Sequence, residues 1–154
     1  MAGLADKRLF LLDMDGTLYV DDALFPGTLP FLHHVRAAGG RYLFLTNNSS
    51  RSVSAYVDKL AQLGISAGSE DFFTSTDALI AHLQSGRKRR LCYVFGTESF
   101  RAQLAAAGIS VTNRLSGGVD CLLAGFDTEL TFQKLEDACI LLNRGVEFIA
   151  TNPD

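Results

Sequence analysis

Short apolar runs alternate along this chain with longer stretches in which apolar residues recur every three or four positions. The runs are Leu9–Leu12, Tyr42–Leu45, Leu91–Phe95, Val119–Ala124 and Val146–Ala150. Each is short and predominantly apolar, as in strands buried within a parallel sheet. Between them lie helical stripes: Leu29, Leu32 and Val35; Val53, Tyr56, Val57, Leu60 and Leu63; Leu79, Ile80 and Leu83; Phe100 and Leu104. A last helix, from Thr131 to about Asn143, is expected to turn Phe132, Leu135, Cys139 and Leu142 inward. Strand and helix in alternation define an α/β protein with a Rossmann-like parallel sheet.

The breaks between elements carry the organisation. Val20–Gly27 suits a short hairpin or flap, Thr28 suits a helix cap, and Gly39-Gly40 suits that helix's end. Ser69–Thr74 reads as a short connecting strand, and Thr76 or Asp77 as the start of the next helix. The basic run Arg87–Arg90 follows Ser85-Gly86 and has no interleaved aromatic residue, which favours a solvated linker over a nucleic-acid patch. A second strand–helix series begins after it. Two domains are therefore expected, residues 1–86 and residues 87–154.

Bulk properties narrow the class without naming a chemistry. Of 154 residues, 47% are hydrophobic and 20% charged, which describes a globular chain. A net charge of -3 gives no general attraction to nucleic acid, so an anionic ligand must be held locally. No apolar run approaches a membrane span, and the start lacks the core of a signal peptide. The cysteines Cys92, Cys121 and Cys139 form an odd set in apolar surroundings. Buried free thiols and a cytoplasmic location are expected.

The chemistry concentrates where the first strand ends. Asp13 and Asp15 are two positions apart and followed by Gly16 and Thr17. At the carboxyl end of a strand this spacing points both carboxylates to one side, in the crevice where open α/β sheets bind ligands. Two like charges this close require a divalent metal, a shared proton or both. All-oxygen ligation suits a hard cation such as Mg2+. The plain alternative is a solvated Asp-Gly turn closing a hairpin, but the apolar strand before it and Thr17-Leu18-Tyr19 after it weigh against that. Asp21 and Asp22 are expected to be solvated, and His33 and His34 to serve as surface or packing residues.

A second polar cluster, Thr46-Asn47-Asn48-Ser49-Ser50-Arg51, ends the second strand and leads into a helix. The free amides of a helix start favour an anion, and the Thr46 hydroxyl and Asn47 amide add hydrogen bonds. Ordinary N-capping by Asn or Ser uses the same residues.

Asp13-Met-Asp-Gly-Thr-Leu-Tyr resembles the first motif of the haloacid-dehalogenase superfamily in its phosphatase form. Thr-Asn-Asn-Ser-Ser resembles the second motif, and the NagD-like (p-nitrophenylphosphatase) branch in particular. About thirty residues, roughly one βαβ unit, separate the motifs, so a large cap would be inserted after the second one, as in that branch. Residues 122–127 and 148–154 also look like NagD-like cap sequence. The resemblance implies Mg2+-dependent hydrolysis of a phosphomonoester through an aspartyl-phosphate. It implies Asp13 as nucleophile and metal ligand, and Asp15 as general acid/base, its carbonyl also on the metal. Gly16, Thr46, Asn47 and Asn48 would bind or frame the phosphate. The substrate would be a small phosphorylated metabolite selected by the cap, whose surface is also where a homodimer would form.

Two parts of such an enzyme have no counterpart here: a Lys that steadies the aspartyl-phosphate, and a late Gly-Asp-x-x-x-Asp motif. The expectation is an N-terminal portion of a longer enzyme, with little activity alone and an apolar sheet edge beside the first strand. A minimal capless enzyme would instead use Lys88 with Asp120 or Asp127. A non-catalytic binding module is the third reading.

Overall fold

The computed structural model describes residues 3, 6–86 and 89–153. These form nine strands and five α-helices: β1 (Leu9–Asp13), β2 (Tyr19–Val20), β3 (Ala23–Leu24), α1 (Thr28–Ala37), β4 (Arg41–Thr46), α2 (Val53–Gln62), β5 (Phe72–Thr74), α3 (Ser75–Ser85), β6 (Cys92–Phe95), α4 (Glu98–Ala106), β7 (Val111–Thr112), β8 (Cys121–Ala124), α5 (Phe132–Asn143) and β9 (Glu147–Ala150). The α/β class expected from the sequence is the class observed.

Two compact units divide the chain. The first holds residues 1–46 and 53–73, the second residues 47–52 and 74–154. This division does not fall at 86/87. Helix α3 goes with the second unit because Leu79 and Leu83 pack with Cys92, Val94, Phe100, Leu104, Cys121 and Leu123. Its start is fixed by Thr74, whose hydroxyl accepts the Asp77 amide while Asp77 accepts the Thr74 amide in return.

In the first unit the sheet order is β1-β4-β5. β1 and β4 are parallel, with Asp13 opposite Leu45. Behind the sheet pack Phe44, Tyr56, Leu60 and Val35, all buried. Each such side chain contributes about 1.5–3 kcal/mol relative to exposure. The expectation of a fully buried first strand is corrected. Phe10 and Leu12 face this core, but Leu9 and Leu11 are exposed, Leu11 to 60%. β1 is an edge strand, and its second face has no described layer over it. Thr28 is corrected too: Gly27 occupies the cap position, and the Thr28 hydroxyl donates to the Leu18 carbonyl at 2.7 Å. The flap is the antiparallel β2–β3 hairpin turning at Asp21-Asp22. His33 and His34 are exposed.

The second unit is a parallel sheet of order β7-β6-β8-β9. Ser69–Asp71 is a 3-10 turn rather than strand, leaving β5 three residues. Helix α5 forms where expected but shows a different face. Phe132 is 81% exposed, and Leu135, Cys139 and Leu142 are also exposed. Ala138 and Leu141 pack inward, with Asp137 buried beside them. The helix is rotated because Asp137 accepts hydrogen bonds from the Tyr93 hydroxyl and Gln133 Nε2, both at 2.9 Å. A satisfied buried carboxylate can outweigh an apolar stripe that looks better on paper. Cys139 is thus not buried, whereas Cys92 and Cys121 are buried and opposite one another on β6 and β8.

Candidate active site

The two aspartates lie where the first strand runs out. Asp13 closes β1 and is exposed, Met14 turns inward and is fully buried, and Asp15 turns out again. This out–in–out alternation puts both carboxylates on the solvent side while Met14 anchors the segment. The turn that follows is tightly tied. The Thr17 and Leu18 amides donate to the Met14 carbonyl, and the Gly16 amide donates to the Tyr19 carbonyl at 2.8 Å. Gly16 has φ +80°, a conformation that costs a side-chain-bearing residue energy and glycine little. The Thr17 hydroxyl donates to Asp13 Oδ2 at 3.2 Å, fixing the orientation of that carboxylate.

Thr46 ends β4, one residue past the Leu45 that pairs with Asp13. Asp13 and Thr46 therefore finish adjacent parallel strands at the same sheet edge. Asp13, Asp15, Gly16 and Thr46 all belong to the first unit. The chain then crosses to the second unit between Thr46 and Asn47.

Within the second unit the Asn47–Ser52 segment is firmly held. The Asn47 carbonyl accepts from the Ser75 hydroxyl at 2.9 Å. Asn48 Oδ1 accepts from both the amide and the hydroxyl of Ser50, at 3.0 and 2.7 Å, an Asx-type turn. Ser49 is fully buried, and its hydroxyl oxygen accepts the Phe126 amide at 2.8 Å and lies 3.3 Å from Thr151 Oγ1. The Thr97 hydroxyl donates to the Ser50 carbonyl. Gly125 leaves room for this: a Cβ there would fall 2.6 Å from Ser49 Oγ and 3.0 Å from Phe100.

Sequence reasoning passed over one neighbour of the aspartates. Lys59 Nζ lies 3.8 Å from Asp15 Oδ1 and 4.3 Å from the centroid of the buried Tyr19 ring. Its only sequence signal was a position three residues after Tyr56, on the border of the apolar stripe of α2. Asp21 and Asp22 are exposed on the hairpin turn. Asp127, considered as a late acid, belongs to the second unit, and its side chain is only 3% exposed. It is held by Lys134 Nζ at 3.0 Å, which also donates to the Gly96 and Glu129 carbonyls. The Asp120 carboxylate accepts the Arg90 and Leu91 amides. Lys88 lies outside the described residues.

No group of three or more His, Cys, Asp or Glu side chains suited to a metal occurs among the described residues. Asp13 and Asp15 offer oxygen donors only, and both are open to solvent. That donor set fits Mg2+, which binds through one or two carboxylates and keeps several waters.

A parallel α/β sheet ending in paired aspartates and a strand-end threonine is the frame of one hydrolase class, and sequence and structural comparisons agree. The chain belongs to the haloacid dehalogenase-like hydrolase family, whose model matches residues 10–110. It is 32% identical over 145 residues to the 5'-nucleotidase YutF of Bacillus subtilis, covering 94% of this chain and 56% of that protein. It superposes on the 4-nitrophenylphosphatase of Thermotoga maritima with a TM-score of 0.90 at 37% identity, covering 98% of this chain and 57% of the other. NagD from E. coli K-12 gives 0.83 at 28%, with 96% and 57% covered. The glycerol phosphate phosphatase of Mycobacterium tuberculosis, in complex with magnesium, gives 0.88 at 28%, with 100% and 47% covered. The chain thus spans about half the length of the curated relatives it matches. Its NagD-like character, expected from the Thr-Asn-Asn-Ser-Ser segment, agrees with these similarities.

Proposed function

We propose that the protein is a Mg2+-dependent phosphomonoesterase that acts on a small phosphorylated metabolite through an aspartyl-phosphate. The observation that carries this reading is the shared strand-end edge of Asp13, Asp15 and Thr46, with the Asp13 carboxylate oriented by Thr17. The relatives named as phosphatases and the magnesium bound to one of them support it.

In this reading an Asp13 oxygen attacks phosphorus, and the ester oxygen leaves with a proton from the Asp15 carboxyl. Asp15, now a carboxylate, takes a proton from water as that water attacks the aspartyl-phosphate. Phosphate departs and Asp13 is restored. Splitting one displacement into two lowers each barrier, and Asp15 serves both half-reactions because the first leaves it in the form the second needs. Asp13 and the Asp15 carbonyl would hold Mg2+, which supplies charge neutralisation at the phosphoryl oxygens. Thr46 and the Asn47 amide bind phosphoryl oxygens, Gly16 allows close backbone approach, and Asn48 shapes its loop. The proposal takes residues 1–86 as core and 87–154 as cap sequence. Selection of the substrate and a homodimer contact are assigned to the cap, and no nucleic acid or membrane partner is invoked. No described helix is long and apolar enough to cross a membrane. A cytoplasmic setting is proposed from the buried free thiols Cys92 and Cys121.

The test is hydrolysis of p-nitrophenyl phosphate by the full-length protein, with Mg2+ and with a chelator. Turnover that needs Mg2+ and disappears in Asp13→Asn supports the reading. Turnover that survives Asp13→Asn sinks it. Silence of the wild-type protein on this and a panel of phosphomonoesters would favour the non-catalytic binding module.

A further inference from the structure

We infer that Lys59 is a positioning residue that holds the Asp15 side chain in place as the general acid for the leaving group. The inference rests on the phosphomonoesterase reading above. Lys59 sits in the last turn of α2, where a basic side chain commonly does no more than face the negative helix end from solvent. Its surroundings say otherwise. The side chain is 20% exposed, although a lysine at a helix end ordinarily extends into water. Its ammonium stands over the Tyr19 ring at 4.3 Å, and Tyr19 is fully buried, so the ring is a fixed platform. From that platform Nζ reaches 3.8 Å from Asp15 Oδ1.

The same Tyr19 fixes Asp15 from the backbone side. Residues 15 and 19 form a β-bridge, and the Tyr19 carbonyl accepts the Gly16 amide at 2.8 Å. One aromatic residue thus sets the height of the turn that carries Asp15 and the place of the cation facing its side chain. Asp15 itself is 57% exposed, and no other described cation lies within ion-pair distance of it. Without Lys59 its carboxylate keeps its backbone position but loses the charged partner that orients it. An acid displaced by a fraction of an ångström transfers its proton less effectively.

This predicts a leaving-group dependence that a purely structural role does not produce. p-Nitrophenolate departs readily without a proton, whereas an alkoxide needs one. In the full-length protein, Lys59→Met should lower kcat/KM for glycerol phosphate by about 10- to 100-fold. For p-nitrophenyl phosphate the loss should stay under about threefold. Lys59→Arg, which keeps a cation that can stack on Tyr19, should restore most of the glycerol phosphate rate. Lys59→Gln serves if the methionine variant does not fold, and thermal melts establish which variants are folded. Equal losses on both substrates, or no loss on either, would overturn the inference. Failure of the wild type on both substrates would instead sink the phosphomonoesterase reading beneath it.

Discussion

The Phe126 amide donates to the Ser49 hydroxyl oxygen at 2.8 Å, joining the loop after β4 to the loop after β8 inside the second unit. Ser49 is fully buried and also meets Thr151 just past β9, so one hydroxyl ties together three strand-end segments. Ser49→Ala leaves the Phe126 amide without this acceptor, a loss of about 1–3 kcal/mol. Chemical denaturation should show it as a lower midpoint with unchanged slope. Because Asn47 and Asn48 sit on the same segment, KM for phosphomonoesters should rise more than kcat falls.

Gly125 makes the complementary case. An added methyl would meet Ser49 Oγ at 2.6 Å and the Phe100 ring at 3.0 Å, and Phe100 is itself fully buried. Gly125→Ala should therefore cost about 1–3 kcal/mol through overpacking. Combining it with Ser49→Ala, which removes the closest clash, should give less than the sum of the two losses. Strict additivity in that cycle would contradict the contact.

Lys134 neutralises Asp127 where its carboxylate is nearly sealed from water. Lys134→Met strands that charge and should destabilise the protein by about 2–4 kcal/mol, the lysine's own partial exposure softening the loss. Adding Asp127→Asn should recover part of it, measured by urea unfolding of the two single variants and the double.

Tyr93 gives a pH signature. Burial, and then its hydrogen bond to the Asp137 carboxylate, push the phenol well above the usual tyrosine range. The unfolded chain sheds this proton near pH 10 while the folded chain keeps it. The stability tied to Tyr93 is therefore full below about pH 10 and declines as pH rises above that toward the folded value. Tyr93→Phe should be less stable than wild type at pH 8, by about 1–3 kcal/mol. The gap should narrow above about pH 10. A gap that widens there would contradict the assignment.

Much of the frame was legible because it depends on local patterns. Tyr42–Leu45 is an apolar run closed by the hydroxyl of Thr46, and β4 spans Arg41–Thr46. The stripe from Val53 to Leu63 marks α2, whose Tyr56 and Leu60 are buried. What escaped depends on partners distant in sequence. The face of α5 is set by Asp137 meeting Tyr93, 44 positions away, and an aspartate is by type seldom buried unless paired. The exposure of Leu9 and Leu11 depends on what stands beside β1, which the composition of β1 cannot encode. The unit division turned on Leu79 and Leu83, whose periodicity announced a buried face without saying which sheet would bury it. At the candidate site, the carboxylate spacing and strand-end position of Asp13 and Asp15 were evident. Lys59 was not, because a lysine in a helix's last turn is ordinary until Tyr19 is folded beneath it.

In the proposed mechanism Asp13 carries the phosphoryl group during turnover. The most direct measurement is to quench the full-length protein during hydrolysis, reduce it with borohydride and sequence the peptide spanning the first strand. An acyl phosphate on Asp13 is reduced to the alcohol, so homoserine is expected at position 13 when substrate and Mg2+ are present and aspartate when either is omitted. Intact aspartate at position 13 in a sample actively releasing phosphate would contradict the covalent mechanism and point to direct attack by water.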